Sequence, residues 1–191
     1  MLRNAFFTRQ ADRHSGQASD FLLLRHPVDD KVYNILFICT GNSARSILAE
    51  ALMNQAGRGR FKAYSAGSHP TGVVNPHALQ ALRDMGVSAV GARSKSWDEF
   101  AAADAPRMDF VFTVCDSAAG EVCPFWPGQP MTAHWGLPDP AAVNGSEEEV
   151  RLAFRDAAVT MKRRIDLMLA LPFGTLDAMA IQRQVRDIGI R

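Results

Sequence analysis

Val32-Tyr33-Asn34-Ile35-Leu36-Phe37-Ile38-Cys39-Thr40-Gly41-Asn42-Ser43-Ala44-Arg45-Ser46 is the stretch on which the reading of this chain turns. Its first seven residues form an apolar, β-like run, and from Ile47 to Gly57 the pattern is helical. Between strand and helix lie a cysteine, five residues and an arginine. Such a loop can wrap a tetrahedral oxyanion, because the backbone N–H groups of Thr40, Gly41, Asn42, Ser43 and Ala44 and the following helix N-terminus all point inward. Arg45 adds a planar, two-pronged donor. Cys39 then stands at the floor of an electropositive cradle, where a thiolate is stabilised and can act as a nucleophile.

Outward from this loop, composition narrows the class. The chain has 191 residues, of which 47% are hydrophobic, enough for one ordinary domain with some excess at its ends. A net charge of +1 gives no electrostatic case for nucleic acid or for a membrane surface. Phe21-Leu22-Leu23-Leu24 is too short for a signal-peptide core, and no apolar run approaches a membrane span. Three cysteines without regular spacing do not make a secreted disulfide framework. A nucleophilic cysteine in such a set predicts a reducing, cytoplasmic setting.

Residues 1–30 read as a flexible N-terminal extension, since their polar and apolar residues alternate without a sustained period. Residues 31–174 alternate strand and helix, the pattern of a doubly wound parallel sheet in an α/β fold. Further strands are expected at Phe61–Ser65, Met108–Val114 and Met131–Trp135. Asn75-Pro76 caps a second helix and Gly86 ends it. Ser146-Glu147-Glu148-Glu149 is a capping box, followed by the apolar stripe Val150, Phe154, Ala157, Met161, Ile165 and Met168. Residues 175–191 are expected to form a C-terminal helix, capped by Thr175 and burying Leu176, Met179 and Val185.

Two further clusters carry chemistry. Thr113-Val114-Cys115-Asp116-Ser117-Ala118-Ala119-Gly120-Glu121-Val122-Cys123-Pro124 begins where the third strand ends. In a parallel sheet the carboxyl ends of the strands share one rim, which brings Cys115 to the edge that holds Cys39. The Gly, Ala, Asp, Ser and Pro around Cys115 and Cys123 predict an accessible surface loop, and a dithiol beside an activated thiol points to disulfide exchange. Gly136-Leu137-Pro138-Asp139-Pro140 follows the fourth strand on the same rim, and a carboxylic acid at Asp139 can protonate a departing oxygen. The Cys115–Cys123 spacing is too wide for a zinc knuckle, and His134 has no histidine partner, so no metal is expected from the residues themselves. Trp97, Trp126 and Trp135 read as packing residues.

These residues resemble the arsenate reductases built on the low-molecular-weight protein tyrosine phosphatase fold. The likeness runs from about Val32 to Leu171. It rests on Cys39 to Ser46, Tyr64-Ser65-Ala66-Gly67-Ser68, Ser94-Lys95-Ser96, Phe112-Thr113-Val114-Cys115 with Cys123-Pro124, and Trp135-Gly136-Leu137-Pro138-Asp139-Pro140-Ala141. The resemblance implies a three-layer, four-stranded parallel sheet between helices. It also implies a three-thiol relay: Cys39 attacks arsenate, Asp139 protonates the leaving oxygen, Cys115 takes over the sulfur of Cys39, and Cys123 resolves the disulfide. No bound cofactor is implied; an external thiol, thioredoxin or glutathione with glutaredoxin, restores the dithiol. Ser46 would donate to the Cys39 thiolate and Asn42 would stiffen the loop. Some members bind potassium near the positions of Asn42, Glu50 and Ser65. Seven residues separate Cys115 from Cys123, one more than expected for thioredoxin-linked members, and Ala44 stands where many carry another cysteine. Ile47 and Ala141 replace the proline and tyrosine usual in the phosphatase branch, which nevertheless stays open as an alternative: hydrolysis of phosphotyrosine or of small phosphoesters.

Overall fold

The computed structural model of the chain describes residues 31–120 and 126–191. The 1–30 extension and Cys123 lie outside these residues. Four strands, β1 (Tyr33–Cys39), β2 (Phe61–Gly67), β3 (Phe110–Thr113) and β4 (Met131–His134), form one parallel sheet in the order β2-β1-β3-β4. Helices α1 (Arg45–Ala56), α2 (Pro76–Asp84), α3 (Asp116–Gly120), α4 (Glu147–Leu169) and α5 (Ala178–Gly189) flank it, the expected three-layer α/β arrangement.

β1 is central because its side chains are apolar on both faces. Ile35, Leu36, Phe37 and Ile38 are wholly buried, as a strand covered on two sides requires. Its register with β2 pairs Cys39 with Gly67, and with β3 it pairs Ile38 with Thr113. The strand ends therefore converge on one rim. Phe37, Phe112 and Trp135 pack as a tilted aromatic cluster beneath that rim, with ring centroids 4.6–6.2 Å apart.

The helix ends follow local rules. The Asn75 side chain accepts from the His77 amide with Pro76 at the first helical position, and Gly86 takes a left-handed φ of 68° just beyond α2. The Ser146–Glu149 capping box forms, and Phe154, Ala157, Met161, Ile165 and Met168 are buried along α4. The last helix differs from expectation. Asp177 caps it, accepting from the Ala180 amide, whereas the Thr175 hydroxyl donates to the Pro172 carbonyl in the preceding turn. Leu176 falls before the helix, and Ile181, Val185 and Ile188, at i, i+4 and i+7, form the buried face, whereas Met179 points to another side and is 76% exposed. α5 docks on its own domain, where Trp135 Nε1 donates to the Val185 carbonyl at 2.8 Å.

Candidate active site

The loop between β1 and α1 is built from its glycine-like turns outward. Asn42 has φ 42°, a left-handed conformation that asparagine tolerates better than most residues. Gly67, opposite Cys39 in β2, has no room for a side chain: a Cβ there would lie 2.5 Å from the Thr40 carbonyl and 3.0 Å from Asn42. That contact lets β2 press against the loop. The loop's carbonyls turn outward and are held, Thr40 by the His69 amide, Gly41 by the Thr71 amide and Ser43 by the Asn75 amide. Outward carbonyls leave the amides facing the cradle.

Cys39 Sγ, buried at 4% exposure, lies 2.9 Å from Ser46 Oγ and 3.2 Å from the Asn42 amide, which donates to it. Burial pushes the Cys39 thiol up from its ordinary range. The Ser46 hydroxyl and amide pull it down, the charge of a second thiolate at Cys115 would push it up, and the Asn42 amide pulls it down. Desolvation is the largest of these, so ionisation of Cys39 depends on the donors aimed at its sulfur.

A buried network fixes the direction of those donors. Asn42 Oδ1 accepts from the Lys95 amide at 2.8 Å, which orients the carboxamide. Its Nδ2 then donates to Ser46 Oγ at 2.8 Å and to Ser65 Oγ at 2.9 Å. Ser65 gives its own proton to Glu50 Oε2 at 2.5 Å. Ser46 is thus an acceptor toward Asn42, and its one proton is left for Cys39. Asn42, Glu50 and Ser65, the three positions associated with potassium by resemblance, do converge. Among them stands the ammonium of Lys95, 3.2 Å from Glu50 Oε2 and from Ser65 Oγ and 3.3 Å from the Arg93 carbonyl.

Arg45, at the start of α1, pairs with Asp139 (Nη2 to Oδ2, 3.0 Å) and donates through Nη1 to the Leu137 carbonyl at 3.1 Å. The loop after β4 is therefore tied to the oxyanion loop through the same guanidinium. Cys115 also reaches the rim, its Sγ 3.7 Å from Thr40 Oγ1 and 3.4 Å from the Ala118 amide that donates to it. Cys115 is not in an open loop. It is 2% exposed, because Asp116–Gly120 forms a short helix whose small Ala118 packs against the core. Both Cys39 and Cys115 are free thiols. The histidine near them is committed elsewhere: His134 Nδ1 meets Thr113 Oγ1 at 2.8 Å and Nε2 meets Asp116 Oδ1 at 3.1 Å. A cavity of about 610 Å³ opens beside α3, β4 and α5, lined in part by Thr113, Asp116, Trp126, His134 and Arg186, and no residue of the Cys39–Ser46 loop lines it.

The sequence reading brought Cys39, Arg45, Ser46, Cys115 and Asp139 to one rim, and the structure brings the same five together. It gave no role to Lys95, which appears there only within the motif Ser94-Lys95-Ser96. Only its neighbours in space, Glu50 and Ser65, mark it as an internal charge.

The model of the low molecular weight phosphotyrosine protein phosphatase family matches residues 34–182. A protein of Halalkalibacterium halodurans named arsenate reductase is 37% identical over 131 residues, which cover 69% of this chain and 91% of that protein. Another of the same name, from Bacillus subtilis, is 39% identical over 115 residues, covering 60% and 79%. Among solved structures, one described as an arsenate reductase in the phosphate binding state matches with a TM-score of 0.59 at 27% identity, over 72% of this chain and 97% of that one.

Proposed function

The chain belongs to the low molecular weight phosphotyrosine protein phosphatase family, and from that premise we propose that it reduces arsenate to arsenite by a thiol relay. The observation that carries the reading is the second buried thiol, Cys115, within reach of the loop that holds Cys39 and tethered to it through Thr40. Hydrolysis needs one nucleophile; a second thiol behind it suits transfer of electrons. The names of the relatives support the same substrate.

In this reading the amides of Thr40 to Ala44 and the guanidinium of Arg45 bind the arsenate dianion. The Cys39 thiolate, held by Ser46 Oγ–H, attacks arsenic. Asp139 gives its proton to the departing oxygen, which leaves as water, and an As(V)–sulfur bond forms at Cys39. The Cys115 thiolate then attacks Cys39 Sγ. The electron pair of the As–S bond goes to arsenic, which leaves as arsenite, As(III), and a Cys39–Cys115 disulfide forms. Cys123 attacks Cys115 Sγ, freeing the Cys39 thiolate, and an external dithiol of the thioredoxin or glutaredoxin type reduces the resulting Cys115–Cys123 disulfide. Such a cycle needs a reducing compartment, the cytoplasm, and no bound cofactor. Among the described residues no helix is long and apolar enough to cross a membrane.

Arsenate-dependent NADPH oxidation, coupled in parallel through thioredoxin with its reductase and through glutathione with glutaredoxin, tests this. Turnover in one arm identifies the reductant. With Cys115→Ser, turnover should vanish while hydrolysis of an aryl phosphate persists. Normal arsenate turnover by Cys115→Ser would sink the relay, and efficient phosphotyrosine hydrolysis with no arsenate turnover would favour the phosphatase branch.

A further inference from the structure

Arg164 lies on the buried stripe of α4, between Met161 and Ile165, and is 7% exposed. A guanidinium in an apolar layer is costly unless its donors are met. Among the described residues it has no carboxylate partner, and its Nε meets no acceptor. What it does meet is backbone. Nη1 donates to two consecutive carbonyls, Trp135 at 2.9 Å and Gly136 at 3.0 Å.

Those carbonyls begin the segment that carries Asp139. Trp135 is already fixed by its amide on the Thr113 carbonyl and its indole on Val185. Gly136 has no side chain with which to fix itself; one would collide with the His134 ring. Arg164 extends the order of Trp135 across that glycine. The next amide, Leu137, reaches the Val114 carbonyl at 3.2 Å, beside Cys115. The next carbonyl, Leu137, accepts from Arg45, and Asp139 closes the segment on the same guanidinium. The loop is therefore gripped at both ends by arginines, one on α4 and one at the oxyanion loop.

We propose that Arg164 is a positioning residue for Asp139, setting the direction in which Leu137-Pro138-Asp139 leaves β4. The inference rests on Asp139 acting as the proton donor, as read above. Burial holds the Arg164 guanidinium below its usual range, so the two carbonyls are its compensation for lost water.

The test is a double-mutant cycle on the full chain, with Arg164→Met, Asp139→Asn and both together, scored on arsenate turnover and on phenyl phosphate hydrolysis. Arg164→Met should lower kcat by about tenfold to 100-fold, the cost of misplacing a reacting group by about 1 Å, with KM nearly unchanged. In the Asp139→Asn background it should cost nothing further. Arg164→Lys, whose ammonium can still donate to both carbonyls, should recover most of the loss; if the methionine variant does not fold, Arg164→Gln, polar but too short to reach the two carbonyls, carries the cycle. Hydrogen exchange at the Leu137 amide should quicken in Arg164→Met while the β1 amides stay protected. Equal losses of kcat in both backgrounds, or unchanged exchange at Leu137, would overturn the proposal. An Asp139→Asn protein that is fully active on both substrates would instead overturn the role of Asp139, leaving Leu137 exchange to decide whether Arg164 holds the loop.

Discussion

Replacing Ser46 by alanine removes one hydroxyl and asks one question: does its proton hold the Cys39 thiolate? Cys39 Sγ and Ser46 Oγ are 2.9 Å apart in a buried setting. A hydrogen bond to a charged group is worth about 1.5–3 kcal/mol, and about 1.4 kcal/mol corresponds to one pKa unit. Ser46→Ala should therefore raise the Cys39 pKa, already pushed up by burial, still further. The more basic thiolate is the better nucleophile, which returns nearly half of the loss on a logarithmic scale. At pH 7 the alkylation rate should then fall about 4- to 15-fold. The assay is iodoacetamide alkylation of Cys39 against pH, in a form with Cys115 and Cys123 both changed to serine. Asn42 Nδ2 also loses an acceptor, so unfolding by urea should be measured beside it to show that the loop survives. A pH profile that superimposes on that of the Ser46 form would refute the donor direction deduced from Asn42, Ser65 and Glu50.

Three other outcomes follow from the same geometry. Gly67→Ala would put a methyl group 2.5 Å from the Thr40 carbonyl, against backbone that cannot rotate away; urea unfolding should show a loss of about 1–3 kcal/mol, and oxyanion affinity should fall with it. Lys95→Met leaves the Glu50 carboxylate without its cation; the loss should be about 3 kcal/mol, the low end for a broken buried pair because Glu50 keeps some contact with water, and adding Glu50→Gln should restore part of it in the same unfolding measurement. Alkaline stability should report the buried thiol. The native state holds the Cys39 proton more tightly than the unfolded chain, so this contribution is full below the ordinary thiol pKa of about 8.5 and fades as pH rises through the higher folded-state value. Cys39→Ser should flatten that part of the pH–stability curve, and an unchanged slope would contradict the raised pKa.

What the sequence makes legible here is what local rules govern. The apolar run into Cys39, the loop to Ser46, the caps at Asn75 and Ser146 and the turn at Gly86 all follow from residues near each other in the chain. Cys115 shows where such reading stops. Its Ala, Gly and Asp neighbours suit an exposed loop as well as a tightly packed short helix, and only the contact of Ala118 with the core selects the helix. Thr175 and Asp177 are both good caps; the Pro172 carbonyl takes the threonine hydroxyl and so leaves the helix start to the aspartate. Lys95 and Arg164 look like solvated charges in sequence. Each is buried because its partners, Glu50 and Ser65 for one and the carbonyls of Trp135 and Gly136 for the other, come from distant strands, helices and loops.

The relay itself is tested most directly by a single turnover of arsenate with Cys123→Ser protein, followed by non-reducing peptide mapping. A relay through Cys115 releases one arsenite per chain and leaves a trapped Cys39–Cys115 disulfide. Arsenite released with both thiols still free, or a disulfide that leaves out Cys115, would contradict it.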